Sequence, residues 1–314
     1  MFGIYKTQGP HVMKKKLKVK QVISSGVAHV IIIIIAIAFA FPLIWVFMTT
    51  FKSPREYYSI PPMLLPKQFY LIHYQEAFAP WSIDESKREY SKSFFIQESS
   101  GSVDPVTVNI FNSLIIVTGA VGLSLIIGLW AAYALSRFTF RGSKNLGVWI
   151  LSIRMMPPIV IAVPLFWMIR ALKIHGTHFG LMTVYVLINL PFVVWMMKGF
   201  FDAIPTELEE SVLIDGGNRA TIIFRVAIPL AFNGIIATAL FCVYLTWTEF
   251  MYASILTNRF SSTLPVVLSA FRQDRGILWG QMSAVIIVAL IPIAVLTILL
   301  QKQMIKGLAA GALK

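Results

Sequence analysis

The chain has 314 residues, of which 57% are hydrophobic and 13% charged, and its mean hydropathy is +0.75. That balance excludes an ordinary soluble domain and points to an integral membrane protein. The net charge of +13 would suit nucleic acid, but the basic residues are spread among loops rather than gathered on one soluble face, so no nucleic-acid partner is expected.

A helix crossing a hydrocarbon layer of roughly 30 Å needs about 20 apolar residues. Six runs meet that length, at roughly 27–48, 110–135, 146–172, 180–197, 226–247 and 282–300. The expected fold is therefore all-α, a polytopic membrane protein with six transmembrane helices. Its expected layout is a basic tail over 1–26, a first span over 27–48, an external segment over 49–109, a core of five further spans over 110–303 with a polar loop at 199–225, and a tail over 304–314.

Residues 1–26 carry six lysines, suited to lipid headgroups and to orienting the first span. A largely polar and basic stretch of more than 20 residues precedes that span and no small-residue cleavage site follows it, so it reads as a permanent span rather than a signal peptide. The segment 49–109 is too long for a plain connector. It holds Pro61, Pro62, Pro66 and an aromatic stretch from Tyr57 to Trp81, and then a polar stretch that is either a contact for another protein or a simple loop.

The third run is interrupted by Met155-Met156-Pro157-Pro158 and by Pro164, so a kink is expected there. Arg154 lies some eight residues into that run, where a charge costs on the order of 3 kcal/mol. It either faces a partner inside the bundle or snorkels to the interface. His175 and His178 fall in a short turn with no acidic residue or Cys near in sequence, so a solvated loop is expected rather than a metal site. Asn189, just before Pro191, either lines a locally unwound pathway or bonds to a neighbouring helix.

Between Pro205 and Leu230 comes the longest polar interruption that still reads as helix. Thr206 followed by Glu209 has capping-box spacing, predicting a helix to about Ile214. Asp215-Gly216-Gly217 ends it, and Asn218 can cap a second helix. Trp247 and Glu249 close the fifth run; aromatic faces and carboxylates suit hydroxylated solutes, while Trp at that depth is also an ordinary interface anchor. Cys242, the single cysteine, excludes a disulfide framework.

With the N-terminus cytoplasmic, the cytoplasmic segments hold 15 basic and five acidic residues and the external ones 11 and nine. The positive-inside rule thus puts both termini and the Pro205 stretch on the cytoplasmic side.

Glu210-Ser211-Val212, Asp215-Gly216-Gly217 and then Phe224, Ile228 and Pro229 resemble, in order and spacing, the EAA loop of binding-protein-dependent ABC importer permeases. Ser211 and Val212 replace two alanines of that pattern and Gly217 a third. Phe51-Lys52-Ser53, Asn112-Ser113, Leu278-Trp279-Gly280 and the small-residue tail from Gly307 are similar to the carbohydrate branch, in particular to the second permease subunit of maltose-type systems. The resemblance implies that 199–225 holds a cytoplasmic coupling helix. On this reading Leu208, Val212 and Leu213 contact an ATPase cleft, and Glu210 meets its rim. Glu209 and Ser211 of the same helix and Gly217 after it are further ATPase-coupling residues, while Asp215 and Gly216 hold the turn. Arg154, Asn189, Trp247 and Glu249 are the candidate pathway residues.

No Walker motif, dinucleotide fingerprint, H-E-x-x-H or G-x-S-x-G is present. The chain is therefore expected to be no enzyme and to carry no cofactor or metal, with ATP and Mg held by two partner ATPase subunits. The further expected partners are a homologous second permease, an extracytoplasmic solute-binding protein and membrane lipid of a bacterial inner membrane. The expected cargo is a carbohydrate or related polyhydroxylated solute, the alternatives being a polyamine or a phosphate ester. A secondary transporter would need intramembrane acids for ion coupling, and no span holds Asp or Glu well inside it.

Overall fold

A computed structural model describes residues 10–82, 105–273 and 276–312. The polar stretch after Ser82 lies outside these residues. The chain separates into two compact units, one ending at Leu71 and the other beginning at Ile72.

In the first unit, α1 runs unbroken from Pro10 to Thr49. From residue 10 onward, the segment expected to be a separate basic tail is thus continuous with the first span. The most apolar 18-residue window of Ala28–Thr49 holds no residue buried in the protein itself, as expected of a helix that a lipid or protein neighbour must cover, and burial begins only at Thr49. The short helix α2, Pro54–Tyr57, starts with a capping box in which the Ser53 N–H donates to Glu56 Oε2 at 2.7 Å. The Lys67 N–H donates to Glu56 Oε1 at 2.8 Å, tying the following proline-rich strand of chain back to α2.

The second unit opens with α3, Ile72–Phe78, and a single 3-10 turn at Pro80–Ser82. Its scaffold is α4, Val106–Arg137, packed along α7, His178–Asp202. Along this contact Gly128 faces Val193, and a Cβ placed on Gly128 would lie 2.5 Å from Val193 Cγ1. With no side chain on one helix, the backbones come together and Val193 is fully buried. Between them in sequence lie α5, Ser143–Ile153, and α6, Pro158–Ala171.

The Pro205 stretch forms α8, Glu207–Ile214, and α9, Arg219–Leu230, the latter containing a π turn over Ile223–Ala227. After these come α10 (Phe232–Trp247), α11 (Met251–Leu256) and α12 (Leu264–Ala270). A two-residue-per-strand hairpin pairs Arg272 with Ile277, and the long α13, Trp279–Ala312, ends the unit. One buried cluster, including Val121, Met197, Ile222, Cys242 and Val285, joins α4, α7, α9, α10 and α13. A second, including Ile116, Leu165, Leu181 and Leu256, joins α4, α6, α7 and α11.

Among the described residues, four helices are long and apolar enough to cross a membrane on their own, and six spans result only if each of two bent pairs counts as one. The expected third span is such a pair: α5 and α6 meet at 88°. Pro157 and Pro158 lack the N–H groups that would carry the helix through, so the anticipated kink becomes a corner. The expected fifth span is also broken, by 72° between α9 and α10, where Pro229 precedes a turn at Ala231. Position 304 onward, expected to be a separate tail, continues α13 up to Ala312.

Candidate docking surface

Helix α8 starts and stops where its sequence indicates, but its N-terminus is built differently. The Thr206 side chain makes no capping hydrogen bond. Glu209, the expected reciprocal partner, turns inward instead and is 4% exposed. Its Oε1 accepts from Arg137 Nε at 2.7 Å and its Oε2 from the Tyr133 hydroxyl at 2.8 Å. Both donors belong to the C-terminal end of α4. The capping box loses because a buried carboxylate gains more from a cation and a phenol than from a solvent-exposed N–H.

The same guanidinium donates to the Ile204 carbonyl at 3.0 Å and to Ser136 Oγ at 3.2 Å. Ser136 in turn donates to Asp202, which also receives Lys198, each at 2.6 Å. Arg137 therefore joins the ends of α4 and α7 to α8. The next helix leans on α4 as well: Phe224, one of the motif residues, sits edge-on to Trp130 at 5.9 Å, and Arg219 lies over the Phe138 ring.

With Glu209 seated, the opposite face of α8 is set. Leu208 and Leu213 are 45% and 39% exposed, and Ile214 reaches 86%. Glu207, Glu210 and Ser211 stand exposed around them, giving an apolar knob with an acidic rim. Of the three residues expected to reach outward, Leu208 and Leu213 do so. Val212 packs against the protein's own core instead, one turn from Glu209 on the inward face. Ile214 is the outward residue that sequence reasoning left out.

The turn behaves as its glycines suggest. Asp215 caps the end of α8, and Gly216 takes a φ of +81°, a left-handed conformation that favours glycine. The Gly217 N–H donates to the Val212 carbonyl at 2.8 Å, and Asn218 Oδ1 caps α9 by accepting from the Thr221 N–H at 2.9 Å. A Cβ on Gly217 would fall 2.5 Å from Val212 Cγ1. The larger Val212 thus occupies the space that an alanine at 217 would need. Gly217→Ala is expected to loosen the turn and make it cleavable by protease several-fold faster, and the pair V212A/G217A to restore only part of the resistance, because the Val212 carbonyl oxygen, 2.8 Å from the added Cβ, stays in place; equal cleavage of the single variant and the parent would refute this packing account.

The candidate pathway residues fall into different settings. Arg154 sits at the corner between α5 and α6, exposed, with its guanidinium 4.8 Å from the Phe192 ring centre. It pairs with an aromatic face and lies in no continuous span. Asn189 is buried and donates to Thr246 Oγ1 at 2.9 Å, and α7 stays helical through Pro191, so helix-to-helix bonding prevails over local unwinding. Trp247 is buried in the main core. Glu249 accepts from the Tyr185 hydroxyl at 2.9 Å and from the N–H groups of Tyr252 and Ala253, capping α11.

Far from α8 along α4, Asn109 and Asn112 donate to the Ser262 carbonyl at 3.0 and 3.1 Å, and Ser113 Oγ accepts from the Leu264 N–H. His178 Nε2 lies 2.7 Å from Asn112 Oδ1, so this histidine belongs to a loop anchor rather than a solvated turn. No group of three metal-ligating side chains occurs among the described residues.

Residues 124–309 match the family described as binding-protein-dependent transport system inner membrane component. That match spans more than half of the chain, the α8 turn included. The chain belongs to that family. The permease is 34% identical to the inner membrane ABC transporter permease protein YcjP of Escherichia coli (strain K12), over 87% of this chain and 91% of that one. It is 28% identical to the trehalose/maltose transport system permease protein MalG of Thermococcus litoralis, over 90% and 94%. Its fold resembles a crystal structure of a bacterial ABC transporter involved in the import of the acidic polysaccharide alginate, with a TM-score of 0.69 at 20% identity over 90% of this chain and 97% of that one. The permease is thus a multi-pass inner-membrane transport component of a binding-protein-dependent ABC importer, and not itself an enzyme.

Proposed function

We propose that the outward face of α8 docks into a cytoplasmic ATPase subunit and that the permease, with a homologous partner permease, forms the passage for a carbohydrate delivered by an extracytoplasmic binding protein. Two such ATPase subunits, holding ATP and Mg, supply the energy. The observation that carries this reading is the seating of α8: one face is held by a buried ion pair while Leu208, Leu213 and Ile214 are left uncovered. An apolar knob rimmed by Glu207 and Glu210 is complementary to an apolar cleft with basic edges. The surplus of basic residues summed over the segments on the α8 side of the membrane, 15 against five acidic, supports a cytoplasmic position for α8 and for both termini. The carbohydrate cargo is supported by the similarity to MalG, whose name specifies trehalose and maltose.

Ile214 is the test residue because it touches least of its own protein. Burying an isoleucine contributes about 1.5–3 kcal/mol, so Ile214→Lys is expected to weaken retention of the ATPase subunit on the detergent-purified permease at least about tenfold. Undiminished copurification would rule out α8 as the docking surface. Calorimetry of the binding protein that delivers solute to this permease, with sugars as probes, checks the cargo.

A further inference from the structure

The two chain connections of α8 differ from its contact with α4. On the α9 side the chain passes through a left-handed Gly216, a π turn at Ile223–Ala227 and a 72° bend before it reaches α10. Each is a place where displacement can be absorbed locally. On the other side residues 203–206 form a short segment with no helix of its own. Helix α4 has no chain connection to α8, yet it makes the buried charged contact: Arg137 and Glu209 side chains are 8% and 5% exposed and 2.7 Å apart, with Tyr133 on the second carboxylate oxygen. Beyond that contact α4 is locked to α7 at Gly128 and Val193.

Resting on the docking role of α8 proposed above, we infer that Glu209 clamps α8 to α4 through Arg137 and Tyr133. A push received by α8 is thereby delivered to the paired α4 and α7 rather than dissipated in the turn and bend leading to α10. Glu209, Arg137 and Tyr133 are positioning residues, since none of them faces outward from α8 toward the ATPase. The physical basis is the steepness of a buried ion pair with a shared phenol. Sliding either helix strands a charge away from water, which the bundle resists.

The test is whether α8 and α4 move as one body. Spin labels at Thr206→Cys at the start of α8 and Ile127→Cys on α4 occupy exposed positions, whereas the native Cys242 is buried. Their separation is measured by pulsed electron resonance in the complex with its ATPase subunits, nucleotide-free and trapped with ATP and vanadate. The expected separation is the same in both states to within about 2 Å, and Glu209→Gln is expected to let it shift by about 5 Å or broaden on trapping. The reversed pair R137E/E209R is expected to hold it fixed again. A separation that changes in the parent, or that stays fixed in Glu209→Gln, overturns the linkage. If Glu209→Gln is not recovered from membranes, the reversed pair decides alone, a fixed separation supporting the clamp and a mobile or unrecoverable protein overturning it. Failure of the unmutated permease to bind any ATPase overturns the docking reading and the clamp together, whereas binding with free movement of α8 overturns only the clamp.

Discussion

Arg137→Met is expected to destabilise the permease by about 3–5 kcal/mol, because removing one partner of a buried ion pair leaves the other charge uncompensated. Glu209 would keep only the Tyr133 hydroxyl as a hydrogen-bond donor, on a side chain that is 5% exposed. The Ile204 carbonyl would lose its guanidinium donor as well. The double variant R137M/E209M removes the charge altogether, and replacing a buried pair by apolar residues of similar size is often neutral. It is therefore expected to be more stable than Arg137→Met alone. The buried thiol of Cys242 supplies the measurement: its rate of modification in denaturant rises as the bundle opens. A double variant as labile as the single one would show that the pair matters through packing and not through charge.

The second large effect is expected at Gly128. An added methyl there would lie 2.5 Å from Val193 Cγ1 and 3.0 Å from its Cβ, closer than nonbonded carbons approach. Val193 is fully buried in the main core and β-branched, so it has no free rotamer to escape into. Gly128→Ala is expected to cost at least the 1–3 kcal/mol typical of an overfilled core. Gly128→Leu, which must push α4 and α7 apart, is expected to prevent accumulation in the membrane. The pair G128A/V193A returns the lost volume and is expected to recover much of the loss. Thermal unfolding in detergent reads all three variants, and wild-type stability for Gly128→Ala would mean that the helices are not as close as described.

Part of this was legible in the sequence. Apolar length announced four continuous candidate spans and two bent pairs, Thr206 to Ile214 and Asn218 marked two short helices at nearly their observed positions, and Asp215-Gly216-Gly217 marked the break between them. These signals are local. A glycine in a left-handed turn or a run of apolar residues states its preference without reference to distant residues. The surroundings of the candidate pathway positions were not legible in this way. Asn189, Trp247 and Glu249 looked notable for their polarity or size at membrane depth; Asn189 donates to Thr246, Trp247 packs in the core, and Glu249 accepts from Tyr185 and the α11 N-terminus. What a polar residue does in a bundle depends on which donor or acceptor another helix brings to it.

Glu209 shows the same division within a single residue. Its spacing from Thr206 is a valid capping-box signal, and the spacing carries no notice of Arg137 and Tyr133, more than 70 residues earlier in the chain. Sequence alone determined that this is a helical membrane protein with a polar, glycine-broken helix pair between two apolar runs, because hydrophobic length and backbone freedom are properties of consecutive residues. Only the tertiary structure decided which face of α8 is held and which is offered, that Val212 turns in while Ile214 turns out, and that two apparent spans bend at corners. Those outcomes follow from buried charges seeking distant partners and from helices meeting where their side chains leave room.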